Sequence, residues 1–300
     1  EGQISREDYD DVRLYLVPSD HMFKLIVESD FERGLRDLIK TVEQIDASVF
    51  DYPTQLFQWC RSIEFPYPNY SESYLTKQYA RLTEYHNEKY NPYCRIGVSL
   101  IRQFHKSIWD CHVCGHMSPK EAWYDDSALK LCIRNRLIYQ NDVDPSKVLA
   151  GFNISKIAPK VSVFNPVLAR YLTCKYLAEC DTVFDPFSGF SGRLLGVSST
   201  GKRYVGSDLN SAAVQESNQI IEFLSLESTC EVSVHNIFDY PVTEYECLLT
   251  CPPYESKEVY GSETEFHSCD WWITYVLSHF VCKTYVFVVD ETSDYSDNVV

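Results

Sequence analysis

The chain predicts an α/β protein: a doubly wound, mostly parallel, Rossmann-like sheet in its second half, behind a mainly helical N-terminal accessory region. Three observations predict this. Short apolar strands alternate with helical segments from residue 166 onward. A glycine-rich turn, Asp185-Pro186-Phe187-Ser188-Gly189-Phe190-Ser191-Gly192, follows the first of those strands. A rigid turn, Thr250-Cys251-Pro252-Pro253-Tyr254, follows the fourth. Strands separated by helices need crossover connections, and these build parallel sheets. Ligands of such sheets bind beyond the carboxyl ends of the strands, near the point where strand order reverses. Both turns fall at predicted strand ends.

The elements follow in order. Two apolar runs, 12–17 and 22–27, are split by Pro18-Ser19-Asp20 and predict a hairpin. Ser29 as N-cap and Glu32 as its capping-box partner open a helix. Phe31, Leu35, Leu38, Ile39, Val42 and Ile45 continue it as an apolar stripe. Residues 50–70, rich in Pro, Tyr and Phe, predict irregular chain, and another helix is expected over about 72–90. In the second half the strands are Thr182–Phe184, Arg203–Gly206, Glu231–Val234, Glu246–Thr250 and Thr284–Val289. The helices are expected near 166–179, 191–199, 210–226 and 269–282. A boundary near 150–160 divides an accessory region, 1–155, from a sheet domain, 156–300.

Composition narrows the classes. Three hundred residues with 45% apolar content bury a large core. No run of about 18 apolar residues exists, so no membrane partner is expected. The start, Glu1-Gly2-Gln3-Ile4, is not a secretory leader, and the missing Met suggests a processed or cut chain. The twelve cysteines are read as reduced thiols of an intracellular, cytoplasmic protein, some of them on metal. The net charge of −16 opposes simple attraction to nucleic acid. That charge is uneven: residues 161–300 carry 7 basic and 20 acidic side chains, residues 1–160 carry 20 and 23. Lys77, Arg81, Lys89, Arg95, Arg102, Lys106 and Lys120 form a local basic excess. It is the first candidate surface for a polyanion, against the plain alternative of a solvated mixed-charge face.

The glycine-rich turn carries binding chemistry. Gly189 and Gly192 allow positive φ and close backbone approach to a ligand. Free amides at the following helix start favour a carboxylate. The second strand ends at Asp208, about 20 residues beyond the glycines, where a carboxylate can accept both hydroxyls of a ribose. The third strand ends at His235-Asn236-Ile237-Phe238-Asp239. Upstream, Phe164-Asn165-Pro166 reads as an N-cap with Pro at the first helical position. Each of these also suits an ordinary strand-to-helix turn or helix start when taken alone.

Together the two turns resemble the S-adenosylmethionine (SAM) and target-base sites of class I DNA amino-methyltransferases of the N4-cytosine and N6-adenine type. The resemblance covers about 160–290. It implies SAM as cofactor, held by Phe164, Asn165, Asp185, Phe187, Ser188, Gly189, Gly192, Asp208, Asn236 and Ile237. Asn236 stands where those enzymes usually carry an acid that accepts from the adenine amine, and its carbonyl can accept the same bond. Ile237 or Phe238 would pack on the adenine. Cys251, Pro252, Pro253 and Tyr254 become the catalytic set. An exocyclic amine is a weak nucleophile because its lone pair is delocalised into the ring. Carbonyls held rigid by two prolines would turn it towards tetrahedral geometry, and Tyr254 would stack on the extruded base.

The chain departs from the family at Cys251, where a polar acceptor is usual and a thiol accepts only weakly. Either the Cys251 and Pro252 carbonyls do the work, or Cys251 is itself a nucleophile, which the order Cys-Pro-Pro disfavours. Glu255, Lys257 and Glu258 would order the loop or remain solvated. The family's sheet normally ends in an antiparallel hairpin, yet this chain stops at Asp297-Asn298-Val299-Val300. C-terminal truncation is expected, with the 12–27 hairpin as the alternative edge.

Cys111-His112-Val113-Cys114-Gly115-His116 reads as a knuckle able to aim two thiolates at one tetrahedral Zn2+. Cys132 would be the third ligand, and Cys94, His116, His112 or His105 the fourth, within 94–132. Reduced thiols are the rival account. The expectation is therefore a SAM-dependent methyltransferase acting on DNA with a flipped target base, in a bacterial or phage-like restriction-modification setting. RNA amino-methylation is one alternative. A non-catalytic binding protein that keeps the fold, permitted by Cys251 and Asn236, is the other.

Overall fold

The computed structural model describes residues 52–86, 89–139, 143–240, 243–253, 258–259 and 267–289. The predicted 12–27 hairpin, the helix after Ser29 and the chain end lie outside these residues. The chain divides into two compact units. One comprises residues 1–66 and 116–159, the other residues 67–115 and 160–300. Residues 67–115, grouped with the N-terminal region on sequence, thus belong to the sheet unit.

In the first unit the described residues form four helices: α1 (Tyr52–Ser62), α4 (Pro119–Tyr124), α5 (Asp126–Tyr139) and α6 (Pro145–Ile154). Between α1 and α4 in sequence come α2 (Glu72–Thr83), α3 (Val98–Phe104) and β1 (His112–Val113) of the other unit. Helix α1 corrects the expectation of irregular chain over 50–70 for residues 52–62, whereas residues 63–70 are irregular as expected. Its proline, Pro53, sits in the first turn, where no backbone N–H is needed. Leu56 and Cys60 are fully buried, and Arg61 donates to Asp126 and to the Trp123 carbonyl. Burial of one face thus overrides a composition that reads as loop. Helix α4 starts with a complete capping box, Ser118 and Glu121. Phe65 meets the buried Trp123 edge-on.

The second unit is built on five parallel strands in the order β4-β3-β2-β6-β9. They are β2 (Thr182–Asp185), β3 (Arg203–Asp208), β4 (Cys230–Val234), β6 (Cys247–Thr250) and β9 (Thr284–Phe287). Helices α7 (Pro166–Tyr176), α8 (Gly192–Ser198), α9 (Ser211–Phe223) and α10 (Cys269–His279) alternate with them, as the sequence predicts. Short pairs complete the unit: β5 (Thr243–Glu244) runs parallel to β8 (Phe280–Val281), and β1 runs antiparallel to β7 (Glu258–Val259).

The centre of the sheet, β2 and β6, is buried on both faces, which explains why β6 reads as an almost unbroken apolar run. Successive side chains point to opposite faces. Val183 and Leu249 join a core with Leu195, Ile220 and, from residues 67–115, Leu82 and Leu100. Phe184 and Leu248 join the other core with Trp272, Val276 and Phe280. Residues 67–115 pack with the sheet for this reason: α2 and α3 supply apolar side chains to its first face. At the amino ends of the strands, Cys180 and Cys247 are joined as a disulfide, so the reading of all twelve cysteines as reduced thiols does not hold for this pair. Among the described residues no helix is long and apolar enough to cross a membrane.

Candidate functional site

Strand β2 is the switch point. From it the sheet grows to β3 and β4 on one side and to β6 and β9 on the other, so the carboxyl ends of β2 and β6 flank the crevice where ligands of this architecture bind. Val183 pairs with Cys247 and Phe184 with Leu248. The glycine-rich turn and Cys251-Pro252-Pro253 therefore leave neighbouring strands side by side. Tyr254 lies outside the described residues.

One buried carboxylate joins the two turns. Asp185 is fully buried. It accepts from Arg193 Nε at 2.6 Å, Tyr204 Oη at 2.7 Å, Thr250 Oγ1 at 2.7 Å and the Phe187 amide at 3.3 Å. Its oxygens accept from four protein donors, so Asp185 ties the elements around the crevice together. Arg193, the second residue of α8, also donates to the Phe187 carbonyl and lies over the Phe164 ring, 4.8 Å from its centroid. Burial opposes the Arg193 cation, but the Asp185 carboxylate, together with smaller contributions from Cys251 and Tyr204, outweighs it and holds the guanidinium charged. Burial, then the same carboxylate, pushes the Tyr204 hydroxyl well above its ordinary value. A buried pair like this relies on additional hydrogen bonds, and Tyr204, Thr250 and the Phe187 amide supply them to Asp185 while the Phe187 carbonyl accepts from Arg193.

The neighbouring residues divide into those that face a ligand and those that hold the frame. Gly189 has φ +55, and an added Cβ would meet only the Phe187 carbonyl, at 3.8 Å. Its amide donates to Asp208 Oδ2 at 2.8 Å, while Asp208 Oδ1 accepts from the Asn210 amide. Each Asp208 oxygen keeps a further lone pair for a diol. Burial raises the Asp208 carboxyl, against the lowering effect of those two amides. Ser188 Oγ is buried with no partner among the described residues, an orphan polar atom at the head of the crevice. These three fit a cofactor carrying a ribose and an amino-acid group.

Gly192 has another reason to be glycine: a Cβ there would lie 2.1 Å from the Phe164 carbonyl. Asn165 is spent on the frame, accepting from the Val167 amide and donating to the Cys94 carbonyl. Asn236 caps a 3-10 turn by accepting from the Phe238 amide. Ile237, expected on the adenine, faces the core beside Phe184 and Trp272, whereas Phe238 is partly exposed. Phe187 meets Trp272 edge-on.

The zinc expectation finds no support in the described residues. Among the described residues no three His, Cys, Asp or Glu side chains converge on a metal position. Cys132 belongs to the first unit. Its thiol donates to the Val148 carbonyl, and burial pushes it up to about 12. Cys111 is buried and donates to the Ser107 carbonyl, Cys114 is exposed and Cys94 is half-buried. The knuckle is instead an antiparallel ribbon: His112 pairs with Val259 and Val113 with Glu258. It anchors the chain a few residues beyond Pro253.

In the sequence neither Arg193 nor Tyr204 stands out as a site residue, Thr250 is read only as the start of the Pro-Pro turn and His105 only as a candidate zinc ligand, although one signal is present. Arg193 is the only basic residue between Lys175 and Lys202, in the apolar helix Gly-Arg-Leu-Leu-Gly-Val-Ser. A lone cation in such a helix calls for a buried anion.

No family model and no curated protein matches the chain. Among solved structures it is similar to a methyltransferase from Geobacter sulfurreducens, with 12% identity, TM-score 0.31 and coverage of 50% of this chain and 72% of that one. It is similar to a geranyl diphosphate methyltransferase in complex with GPP and sinefungin, with 14% identity, TM-score 0.34 and coverage of 71% and 66%. It is also similar to a type I restriction-modification system methyltransferase subunit from Streptococcus thermophilus, with 12% identity, TM-score 0.32 and coverage of 90% and 66%. The chain spans about two thirds of the length of the last two. These scores are too low to bear on fold or activity, and the reading that follows rests on the residues.

Proposed function

We propose that the sheet unit is a SAM-dependent methyltransferase acting on an exocyclic amine of a DNA base, cytosine N4 or adenine N6. The observation that carries this is the Thr250–Asp185 hydrogen bond, 2.7 Å long. It ties the base of the Pro-Pro turn to the base of the glycine-rich turn at the sheet's switch point. When bound, SAM supplies an electrophilic methyl group. Asp208 accepts its ribose hydroxyls, and Gly189 with Ser188 lies against its amino-acid end. The carbonyls of Cys251 and Pro252 accept hydrogens of the target amine and direct its lone pair. Pro252 and Pro253 keep those carbonyls from turning, and Tyr254 stacks on the flipped base. As the nitrogen–methyl bond formed, the methyl–sulfur bond would break to leave the neutral thioether S-adenosylhomocysteine, and the methylated amine would release one proton to water. Catalysis is then positioning and electrostatics rather than acid–base chemistry.

Lys77, Arg81, Lys89, Arg95, Arg102 and Lys106 are exposed on the unit that carries the site, which supports a polyanionic substrate despite the net charge of −16. The weak acceptor at Cys251 favours a second reading, a protein that binds SAM without transferring methyl groups.

Titration calorimetry with SAM, followed by nucleoside mass spectrometry after incubation with DNA or RNA oligonucleotides, tests the proposal. N4-methylcytosine or N6-methyladenine in DNA is expected. Methylation of RNA alone replaces the substrate, SAM binding without transfer favours the second reading, and absence of SAM binding ends the proposal.

A further inference from the structure

A buried cluster behind the glycine-rich turn has no part in the chemistry above. His105 follows α3, and its imidazole is fully buried. Its Nε2 lies 2.7 Å from Ser191 Oγ, and its Nδ1 lies 3.2 Å from Glu216 Oε2 on α9. An ionised carboxylate only accepts. Nδ1 therefore carries a hydrogen towards Glu216, and Nε2 shares a second hydrogen bond with the Ser191 hydroxyl. Ser191 Oγ is also 2.8 Å from Ser217 Oγ. Ser107 closes the far end: its amide donates to Glu216 Oε1 at 2.8 Å, and its hydroxyl donates to Oε2. The imidazole meets the Phe190 ring edge-on, with centroids 5.5 Å apart.

Serine, histidine and carboxylate in this sequence also describe a hydrolytic triad. Burial rules that use out. Ser191 is 1% exposed, and its hydroxyl is flanked by His105 and Ser217, leaving no approach for a carbonyl substrate. The cluster instead holds a backbone. Ser191 has φ +60, a left-handed conformation that costs an L-residue energy unless its surroundings enforce it. The residue lies between Gly189 and the first turn of α8. Its conformation fixes how the backbone runs from Gly189 into the first turn of α8.

We propose that His105 is a positioning residue for the cofactor loop, holding Ser191 left-handed so that Gly189 and Ser188 face the SAM site. The proposal rests on the functional reading above. It gives residues 67–115 a defined task, since the helix that fills the core of the first sheet face also delivers the imidazole to the loop.

A double-mutant cycle tests it on the full chain. Calorimetry with SAM compares wild type, His105→Gln, Ser191→Gly and the double variant. Loss of the His105 contact is expected to weaken SAM about fivefold to tenfold in the Ser191 background. In the Ser191→Gly background the same change is expected to cost less than about twofold, because glycine adopts positive φ unaided. Equal losses in both backgrounds, or none in either, overturn the proposal. Ser191→Ala, which removes the hydroxyl but keeps the steric penalty, is expected to weaken SAM more than Ser191→Gly. The reverse order also overturns it, and this comparison stands even if His105→Gln does not fold. Amide hydrogen exchange over residues 187–193 of the ligand-free chain gives a readout that needs no cofactor. Faster exchange in His105→Gln than in wild type, or in Ser191→Ala than in Ser191→Gly, is expected, and unchanged exchange sinks the brace. A wild-type chain that binds no SAM sinks the functional reading instead, and the exchange result still decides the role of His105.

Discussion

The loops that leave β2 and β6 are neighbours, yet they are held in shape by different means. The loop after β2 is fixed by hydrogen bonds: Asp185 accepts four, Asp208 takes the Gly189 amide, and Ser191 is clasped by His105 and Ser217. The loop after β6 carries two pyrrolidine rings in succession, Pro252 and Pro253, each fixing its own φ covalently. In the loop after β2 the Phe187, Ser188 and Gly189 amides donate to Asp185, the Ser207 carbonyl and Asp208, so partners elsewhere in the fold set its conformation. A loop that presents only carbonyls can lose its N–H groups to proline at no cost in function. The bases of the two loops are joined by the hydrogen bond from Thr250 to Asp185.

That comparison breaks first at the buried pair. Arg193→Ala leaves Asp185 charged and short of its strongest partner, which costs about 3–5 kcal/mol in folding free energy. Urea denaturation measures it, and a loss below about 1 kcal/mol would contradict the central place given to this pair. Next is the link itself. Thr250→Val removes the hydroxyl but keeps the shape, leaving Asp185 one donor short at a cost of about 1–3 kcal/mol, whereas Thr250→Ser restores both stability and methyl transfer. Equal behaviour of the two variants would mean that the bond does not join the loops.

Asp208→Ala removes the charged acceptor for the ribose and is expected to weaken SAM by about tenfold to a hundredfold, as hydrogen bonds to charged groups are worth about 1.5–3 kcal/mol. The raised Asp208 carboxyl adds a pH signature. Protonation takes away one acceptor, so SAM affinity falls on acidification at a higher pH than an ordinary aspartate would give. The sign for stability is opposite: a carboxyl raised in the folded state favours folding when protonated, and that contribution disappears as pH rises through the raised value. Calorimetry across the acid range, with and without Asp208→Ala, separates the two. The smallest effect is expected at the knuckle. Chelator treatment, or Cys111→Ser in the presence of added Zn2+, leaves Tm unaltered because the described cysteines do not converge on a metal position. A chelator-dependent fall in Tm would restore the zinc reading.

The amino-acid pattern alone determined the strand-helix alternation, the strand ends and the two loops at the crevice. Those features are local: apolar period, turn residues and caps act within a few positions of one another. What only the tertiary structure decided are the long-range partners. Asp185 reads as a ligand residue, and only the fold shows that Arg193, Tyr204 and Thr250 donate to it. Gly192 reads as part of a cradle until the Phe164 carbonyl is found against it. Residues 67–115 read as accessory until Leu82 and Leu100 are found in the core of the sheet, with His105 on the loop. Residue spacing along a chain carries no information about which buried polar groups will satisfy one another, because that is settled by how sheet and helices close over them.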